Sequence, residues 1–330
     1  MNLSIIIVNY RSWECLAKCL EKLCQEAAGE AWEIIVVDNH SADGKLQRFS
    51  ARFAQVRFDE APRNGGFAYG CNRGASLARG DILLFLNPDV IPETGSVRQL
   101  VDLKRRHADV AILSSSQVDG RGRWRKVFDV FPNRMTWFRT AKFFLRLLRP
   151  GRYPDPRKPF TGLLDCDWVS GSVFLIGRRE FQQLGGWRED YWMYVEDCDL
   201  CLRAQRAGMR VVLSGDVRMM HAHGGASRQT FEISVLTRTE AAISKHLFVH
   251  LNYRGLNRWV NHLCVVLATV PKLALFTLLD LLTLRQTPML RTRSKVFMGL
   301  MAHYARVVRS GDWHSRQVAL RASADESPAC

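Results

Sequence analysis

Polar and apolar positions divide the first hundred or so residues into blocks of two kinds. Leu3–Val8 is a short apolar run, as expected of a strand buried on both faces. Trp13, Leu16, Ala17, Leu20, Leu23 and Cys24 then recur at helical spacing. Glu33–Val37 and Ile82–Leu86 read as two further buried strands. Strands separated by helical patterns imply right-handed crossovers and a parallel sheet, with ligands at the carboxyl ends of the strands. All three strands end on polar residues: Asn9, then Asp38 and Asn39, then Asn87 and Asp89. Should these ends adjoin, they make one polar rim above an apolar sheet.

The run Trp192–Arg203 crowds Glu196, Asp197, Asp199 and Arg203 into the start of an amphipathic helix. Acids in a first helical turn suit the macrodipole whatever else they do. Set beside Asp89, they also suggest group transfer from a metal-bound phosphate ester, one acid holding the metal and another taking a proton. Neither a G-x-G-x-x-G after the first strand nor a P-loop is present. The glycine-rich stretch Asn64–Gly74 reads as a turn entering a helix, with glycines serving either close approach to a ligand or plain turn chemistry.

The pattern changes from about Val127 to Pro159. Phe131, Trp137, Phe138, Phe143, Phe144, Leu145, Leu147 and Leu148 alternate with Arg134, Arg139, Lys142, Arg146, Arg149 and Arg152. Such an aromatic and basic segment is typical of a surface lying in a membrane interface. The alternative is a basic helix packed on the core with its charges in water. Nucleic acid is not an expected partner, because no recognition motif accompanies the charge. Leu263–Leu284 is strongly apolar but interrupted by Pro271, Lys272 and Asp280, so lying in the interface or forming a hairpin with 295–308 is favoured over crossing.

Composition sharpens this picture. The 47 Lys and Arg against 32 Asp and Glu leave a formal charge of +15, which attracts anions without choosing among them. Nine cysteines show no disulfide spacing, and Cys198-x-x-Cys201 lacks a second pair to complete a zinc site, so reduced thiols are expected. The first residues enter a strand directly with no signal-peptide pattern, which points to the cytoplasm.

Six pieces occur in order: Ile5–Tyr10, Val36–Gly44, Asn64–Ala68, Leu86–Asp89, Gly185–Trp187 and Tyr194–Arg203. Over about residues 3 to 230 the chain resembles the family-2 inverting glycosyltransferases of the rhamnosyltransferase-like group. The resemblance implies an α/β fold of the GT-A type, a Rossmann-like mostly parallel sheet, over residues 1–250 with a basic aromatic insertion at 127–160. Beyond the resemblance, the residues themselves read as a helical, basic and apolar extension at 251–321, a candidate for membrane association, and a disordered tail at 322–330. Asn9 and Asp38 would hold the donor's base and ribose, with Asn64, Asn72 and Asn87 near the nucleotide-sugar. Asn87-Pro88-Asp89 stands where relatives carry D-x-D, and Asp89 would ligate Mg²⁺ or Mn²⁺. A further ligand would come from His221 or His223, and His221 is preferred because it closes an apolar strand.

Asp197 would be the catalytic base. Asp199, two residues along the helix, points away from it. Glu196 and Trp168 would serve the acceptor side, Trp168 by stacking on a sugar. Arg203 would face the pyrophosphate or pair with an acid. Arg188 stands where relatives commonly have an acid, which leaves the acceptor or a neighbouring charge pair open. The implied partners are a nucleotide-diphospho-sugar donor, a glycan or lipid-linked acceptor, and an anionic membrane on whose inner face the enzyme is peripheral. Deoxythymidine-diphospho-rhamnose comes first among donors, uridine-diphospho sugars next. The rival readings are a nucleotidyltransferase-like enzyme and a non-catalytic membrane- or nucleic-acid-binding module on the same fold.

Overall fold

The computed structural model describes residues 3–222 and 230–318. In chain order the elements begin with β1 (Leu3–Asn9), α1 (Trp13–Ala27), β2 (Trp32–Asp38), α2 (Leu46–Arg52), β3 (Arg57–Glu60), α3 (Phe67–Leu77) and β4 (Ile82–Leu86). Next come β5 (Val90–Pro92), α4 (Ser96–Arg106), β6 (Val110–Val118), β7 (Phe128–Asp129) and α5 (Arg139–Leu148). The chain continues through β8 (Leu163–Asp165), β9 (Trp168–Val169), β10 (Val173–Gly177), α6 (Arg178–Gln183), α7 (Glu196–Arg206) and β11 (Arg210–His221). Three long helices follow: α8 (Phe231–Asn252), α9 (Gly255–Leu282) and α10 (Pro288–Ser310).

The chain forms two compact units. One holds Met1–Phe131, Tyr153–Arg188 and Glu196–Ala226; the other holds Pro132–Arg152, Glu189–Val195 and Ser227–Cys330.

The first unit is built on a nine-stranded sheet ordered β3-β2-β1-β4-β10-β6-β11-β5, with β8 pairing β11. β3, β2, β1 and β4 are parallel, and β10 runs antiparallel between β4 and β6. Strand alternation divides β1 between two cores. Leu3, Ile5 and Ile7 pack with Trp13, Leu16 and Leu20 of α1 and Val97 and Leu100 of α4. Ile6 and Val8 face Ala68, Cys71 and Ala75 of α3 and share a core with Leu200 and Cys201 of α7. Burial on both faces explains why these strands read as apolar runs.

The glycines of α3 have a packing role. A Cβ on Gly74 would stand 2.4 Å from Ile6 Cγ2, and one on Gly70 would stand 2.7 Å from Val8 Cγ1. They let the helix lie directly on β1, a packing role outside the two uses considered for this stretch, while Gly66, with φ of 88°, serves the turn that enters the helix.

The second unit packs α8, α9 and α10 around Ala242, Ile243, Leu273, Val296 and Leu300. α9 and α10 pack together as a hairpin, and Tyr253 Oη donates to the Pro132 carbonyl while Trp137 Nε1 donates to Asn261 Oδ1 at 3.0 Å. The segment around α5 is thereby tied to the helices of this unit.

Candidate active site

The three strand ends do adjoin, because β1 lies between β2 and β4. Asn9 is paired in register with Asp38, and its Nδ2 donates to Asp38 Oδ1 at 2.8 Å. Asp38 also accepts from the Ser41 hydroxyl and, at 2.9 Å, from the Ser41 N–H. Ser12 N–H donates to Asn9 Oδ1. Both Asn9 and Asp38 are buried, and about three of the carboxylate's four acceptor directions are used inside the protein. His40 and Ala42 hold φ of 61° and 49°, winding the chain tightly around Ser41.

Asn39 joins this rim to the glycine-rich turn. Its Nδ2 donates to Asn64 Oδ1 at 3.0 Å and to the Gly66 carbonyl at 2.9 Å, while its Oδ1 accepts from Gly65 N–H. Asn64 therefore stands beside Asp38-Asn39. Asn72 stands elsewhere. Its amide exchanges two hydrogen bonds with the backbone of Trp187, at 2.8 and 3.0 Å, and so braces the Gly185-Gly186-Trp187 turn.

After β4, Asn87-Pro88-Asp89 makes a turn closed by the Val90 N–H on the Asn87 carbonyl, and Asn87 N–H is held by the Ser172 carbonyl. β5 then pairs with the end of β11, setting His221 opposite Val90. His221 Nε2 lies 3.2 Å from Asp89 Oδ1, both side chains buried. On the other side of the ring, Nδ1 lies 2.6 Å from Gln117 Oε1. Gln117 Nε2 donates to Ser172 Oγ at 2.8 Å, and Ser172 Oγ lies 3.0 Å from Ser170 Oγ. The intervening residue, Gly171, donates its N–H to Asp197 Oδ2 at 3.0 Å.

Asp197 Oδ1 accepts from the Cys198 N–H at 2.8 Å. Burial pushes the Asp197 carboxyl above its ordinary pKa, and the N–H groups of Gly171 and Cys198 pull against that shift. Glu196 is pushed up much further, first by burial and then by the Asp197 charge beside it. Of the two acids, Asp197 is the one equipped to carry charge. Immediately before α7, Tyr194 and Val195 have φ of 70° and 73°. A β-branched residue in the left-handed region is a genuine outlier, and such strain collects at functional sites.

Asp199 is fully buried and accepts from Arg203 Nε at 2.8 Å and from Arg188 Nη1 at 3.1 Å. Arg203 also donates to the carbonyls of Leu184 and Gly186. Both open questions about arginines close here: each pairs with Asp199, and Arg188 supplies a partner rather than a gap. Trp168 sits on β9, its Nε1 donating to the Val130 carbonyl at 3.1 Å and its ring 5.9 Å from Lys126 Nζ.

Asp89 and His221 suit a divalent metal. Two donors bound at right angles to one hard cation at about 2.1 Å stand about 3.0 Å apart, close to the separation here. Among the described residues no third metal-ligating side chain joins them, so water and substrate phosphate would complete the shell, as Mg²⁺ commonly requires. His223 lies outside the described residues. Cys198 and Cys201 are free thiols with their pKa pushed well up by burial, the state expected of inert core cysteines.

Sequence reasoning overlooked Gln117. Its signal was the buried polar run Ser114–Gln117 inside an otherwise apolar strand.

Residues 4–163 match the family described as Glycosyl transferase family 2. Among curated relatives, the chain is 28% identical over 245 residues to N-acetylglucosaminyl-diphospho-decaprenol L-rhamnosyltransferase of Mycobacterium tuberculosis, covering 66% of this chain and 75% of the relative. It is 26% identical over 220 residues to rhamnosyltransferase WbbL of Escherichia coli, covering 63% and 78%. Among solved structures, mannosyltransferase PcManGT of Pyrobaculum calidifontis, in complex with GDP-Man and Mn²⁺, aligns with a TM-score of 0.52 at 14% identity, over 98% of this chain and 79% of that one. GalNAc-T7 with UDP, GalNAc and Mn²⁺ aligns with a TM-score of 0.52 at 15% identity, over 76% of this chain and only 50% of that one. At such identities these two structures establish the fold alone. With the family match, the rhamnosyltransferase relatives and this architecture together, the chain is a glycosyltransferase with a family-2 domain over residues 4–163 and the GT-A fold.

Proposed function

We propose that the chain transfers rhamnose, or failing that another hexose, from a nucleoside-diphosphate donor to a lipid-linked or cell-envelope glycan. Asp197 acts as the base, and the anomeric configuration inverts. The observation that carries this reading is one hydrogen-bonded chain, His221–Gln117–Ser172–Ser170, running from the Asp89 pair to the loop whose Gly171 N–H holds Asp197. The two ends of a displacement, leaving group and nucleophile, would thus be kept in register by buried protein groups.

Asp197 takes the proton of the acceptor hydroxyl while that oxygen attacks the anomeric carbon from the face opposite the diphosphate. The new C–O bond forms as the bond to the diphosphate oxygen breaks, its electron pair leaving with the nucleotide. Asp89 and His221 would hold Mg²⁺ or Mn²⁺, which offsets the charge gathering on the departing diphosphate. Asn9 and Asp38, with Asn64 beside them and Asn87 on the β4 turn, face the donor; Glu196, its pKa pushed up by burial, and Trp168 serve the acceptor side.

The helical unit supports the acceptor class, as does the lipid diphosphate in the name of the mycobacterial relative. α5 exposes Phe143, Phe144, Leu147 and Leu148, with Arg139 and Arg149 beside them. α9 is long and apolar enough to cross a membrane, with a mean hydropathy of 2.0. Its outward residues Leu256, Trp259, Leu263, Leu267, Pro271, Leu275, Leu278 and Leu282 recur every three or four positions, whereas Asn261, His262 and Asp280 are buried. A helix with one apolar stripe outward and its polar residues packed inward fits one lying in an anionic bilayer's interface on the cytoplasmic face.

The test incubates the enzyme and Mn²⁺ with deoxythymidine-diphospho-rhamnose, then with uridine-diphospho sugars, on a polyprenyl-diphosphate N-acetylglucosamine acceptor. Transfer with inversion, read by NMR of the product, is the expected result. Donor hydrolysis with no glycan product under every pairing would sink the reading.

A further inference from the structure

Gln117 occupies a peculiar place: its side chain is fully buried on β6, within the run Ser114-Ser115-Ser116-Gln117. The hydroxyls of Ser114 and Ser116 are spent locally, on the carbonyls of Val173 at 2.6 Å and Ser214 at 3.0 Å. Gln117 instead touches side chains far away in sequence. Its Oε1 faces His221 Nδ1, and both ends of its amide reach Ser172 Oγ, at 2.8 Å from Nε2 and 3.1 Å from Oε1.

An amide oxygen only accepts, so the ring nitrogen it faces must carry the proton. As a metal ligand, which must offer an unprotonated nitrogen, His221 would have Nδ1–H toward Gln117 and its Nε2 lone pair beside Asp89 Oδ1, 3.2 Å away. Two acceptors at that distance repel unless a positive charge lies between them. With the amide turned over, its NH₂ group would donate to Nδ1, Nε2 would carry the proton, and the ring would simply hydrogen-bond Asp89. Ser172 bears on this choice, because its single hydroxyl proton can serve Oε1 or Ser170 while its oxygen accepts from Nε2.

We propose that Gln117 is a positioning residue that selects the Nδ1–H form of His221, presenting Nε2 and Asp89 together to a divalent cation. Through Ser172 it also sets the 170–172 loop that holds Asp197. This rests on the metal reading of Asp89 and His221 given above. Partners that fix a ligating histidine's other nitrogen typically matter by 10- to 100-fold in metal affinity.

Four variants test it in the full chain: Gln117→Leu, Gln117→Glu, Ser172→Ala and Asp89→Ala. The readouts are Mn²⁺ affinity by electron paramagnetic resonance, with and without uridine diphosphate, and the ¹⁵N shifts of the His221 ring in Mg²⁺. Gln117→Glu keeps an acceptor opposite Nδ1 and is expected to stay within a few-fold of wild type. Gln117→Leu is expected to bind Mn²⁺ about 10- to 100-fold more weakly. Wild type should show the Nδ1–H tautomer in Mg²⁺. Should Gln117→Leu fail to fold, Ser172→Ala and the wild-type tautomer still decide. In Ser172→Ala, Mn²⁺ affinity should fall at least a few-fold, since the amide loses the partner that orients it.

An Nε2–H ring in Mg²⁺-bound wild type overturns the proposal, as does wild-type Mn²⁺ affinity in Gln117→Leu while Asp89→Ala abolishes binding. If Asp89→Ala also binds Mn²⁺ normally, it is the metal reading itself that fails.

Discussion

The two units of this chain distribute polarity in opposite ways. In the sheet unit, apolar side chains fill both faces and buried polar groups concentrate at the carboxyl ends of the strands, paired with one another. In the helical unit the polar groups are central. His246 Nδ1 lies 3.0 Å from His262 Nδ1, His246 Nε2 lies 2.7 Å from Tyr304 Oη, and Trp313 stacks on His262 with ring centroids 4.0 Å apart. Leucines, methionines and Trp259 line its exterior. Exposed apolar side chains gathered on one surface are common at protein–protein and membrane contacts. Buried titration differs too. Burial pushes Glu196 and Asp197 up in the first unit, and pushes His246, His262 and His303 down to about 3, 4 and 4 in the second.

The largest effect should come from the charged end of this contrast. Asp197→Asn should reduce transfer by about a hundredfold or more, the scale of losing a general base, and leave nucleotide binding nearly intact. Wild-type turnover would move the base elsewhere. Because the Asp197 carboxyl is raised, the acid limb of the wild-type kcat/KM profile should fall at higher pH than an ordinary aspartate gives.

Stability against pH comes next. Histidines held neutral have folded pKa values below the unfolded value near 6.5, so the unfolded chain binds more protons as acid is added. Their contribution is complete above about pH 6.5 and is lost as pH falls toward 4. Glu240, raised to about 7 by burial, and His314, raised by Asp190, work the other way in the same unit, but four lowered histidines, His250 included, outnumber them. Urea midpoints at pH 7.5 and 5 should therefore differ, and His262→Asn should narrow the gap. An unchanged midpoint would mean that the histidine cluster is hydrated.

On the apolar surface, Arg139→Gln with Arg149→Gln should lower binding to acidic vesicles about tenfold or more, at about 1 kcal/mol per basic residue, with salt masking the difference. Indifference of the double variant at low salt, with loss of binding in Trp259→Ser, would assign attachment to α9 alone.

The smallest effect concerns the strained pair before α7. A left-handed L-residue costs roughly 1–2 kcal/mol, of which glycine's extra freedom cancels a part. Val195→Gly should thus raise stability by up to about 1 kcal/mol. A clear loss in the melting experiment would show that the valine side chain, not its backbone, is what matters.

Some of the site could be read in advance because strand and helix patterns carry residues to known places. An apolar run buried on both faces must end at the rim, so Asn9, Asp38 and Asp89 were located by the pattern alone, and Asp197 by its place at a helix start. The partners of those residues were beyond reach. Gln117 meets Ser172 and His221 across 55 and 104 residues, and no local propensity encodes such a meeting. Asn72 matched the expected motif, yet its amide is engaged by the Trp187 backbone 115 residues away.

The sharpest case is His221. Its place beside Asp89 depends on a register shift in β11, where Ser214 pairs with Ser115 but Arg218 pairs with Ser116, leaving residues 215–217 outside the ladder. Alternation along a strand has period two, so an odd insertion reverses which face every later side chain takes. What the amino-acid sequence determined by itself was periodic and local: which segments are strands, where they end, and which helix begins on acids. Which ends touch, which acid meets the histidine and which arginine takes Asp199 were decided by strand order and register, because those follow from packing the whole sheet.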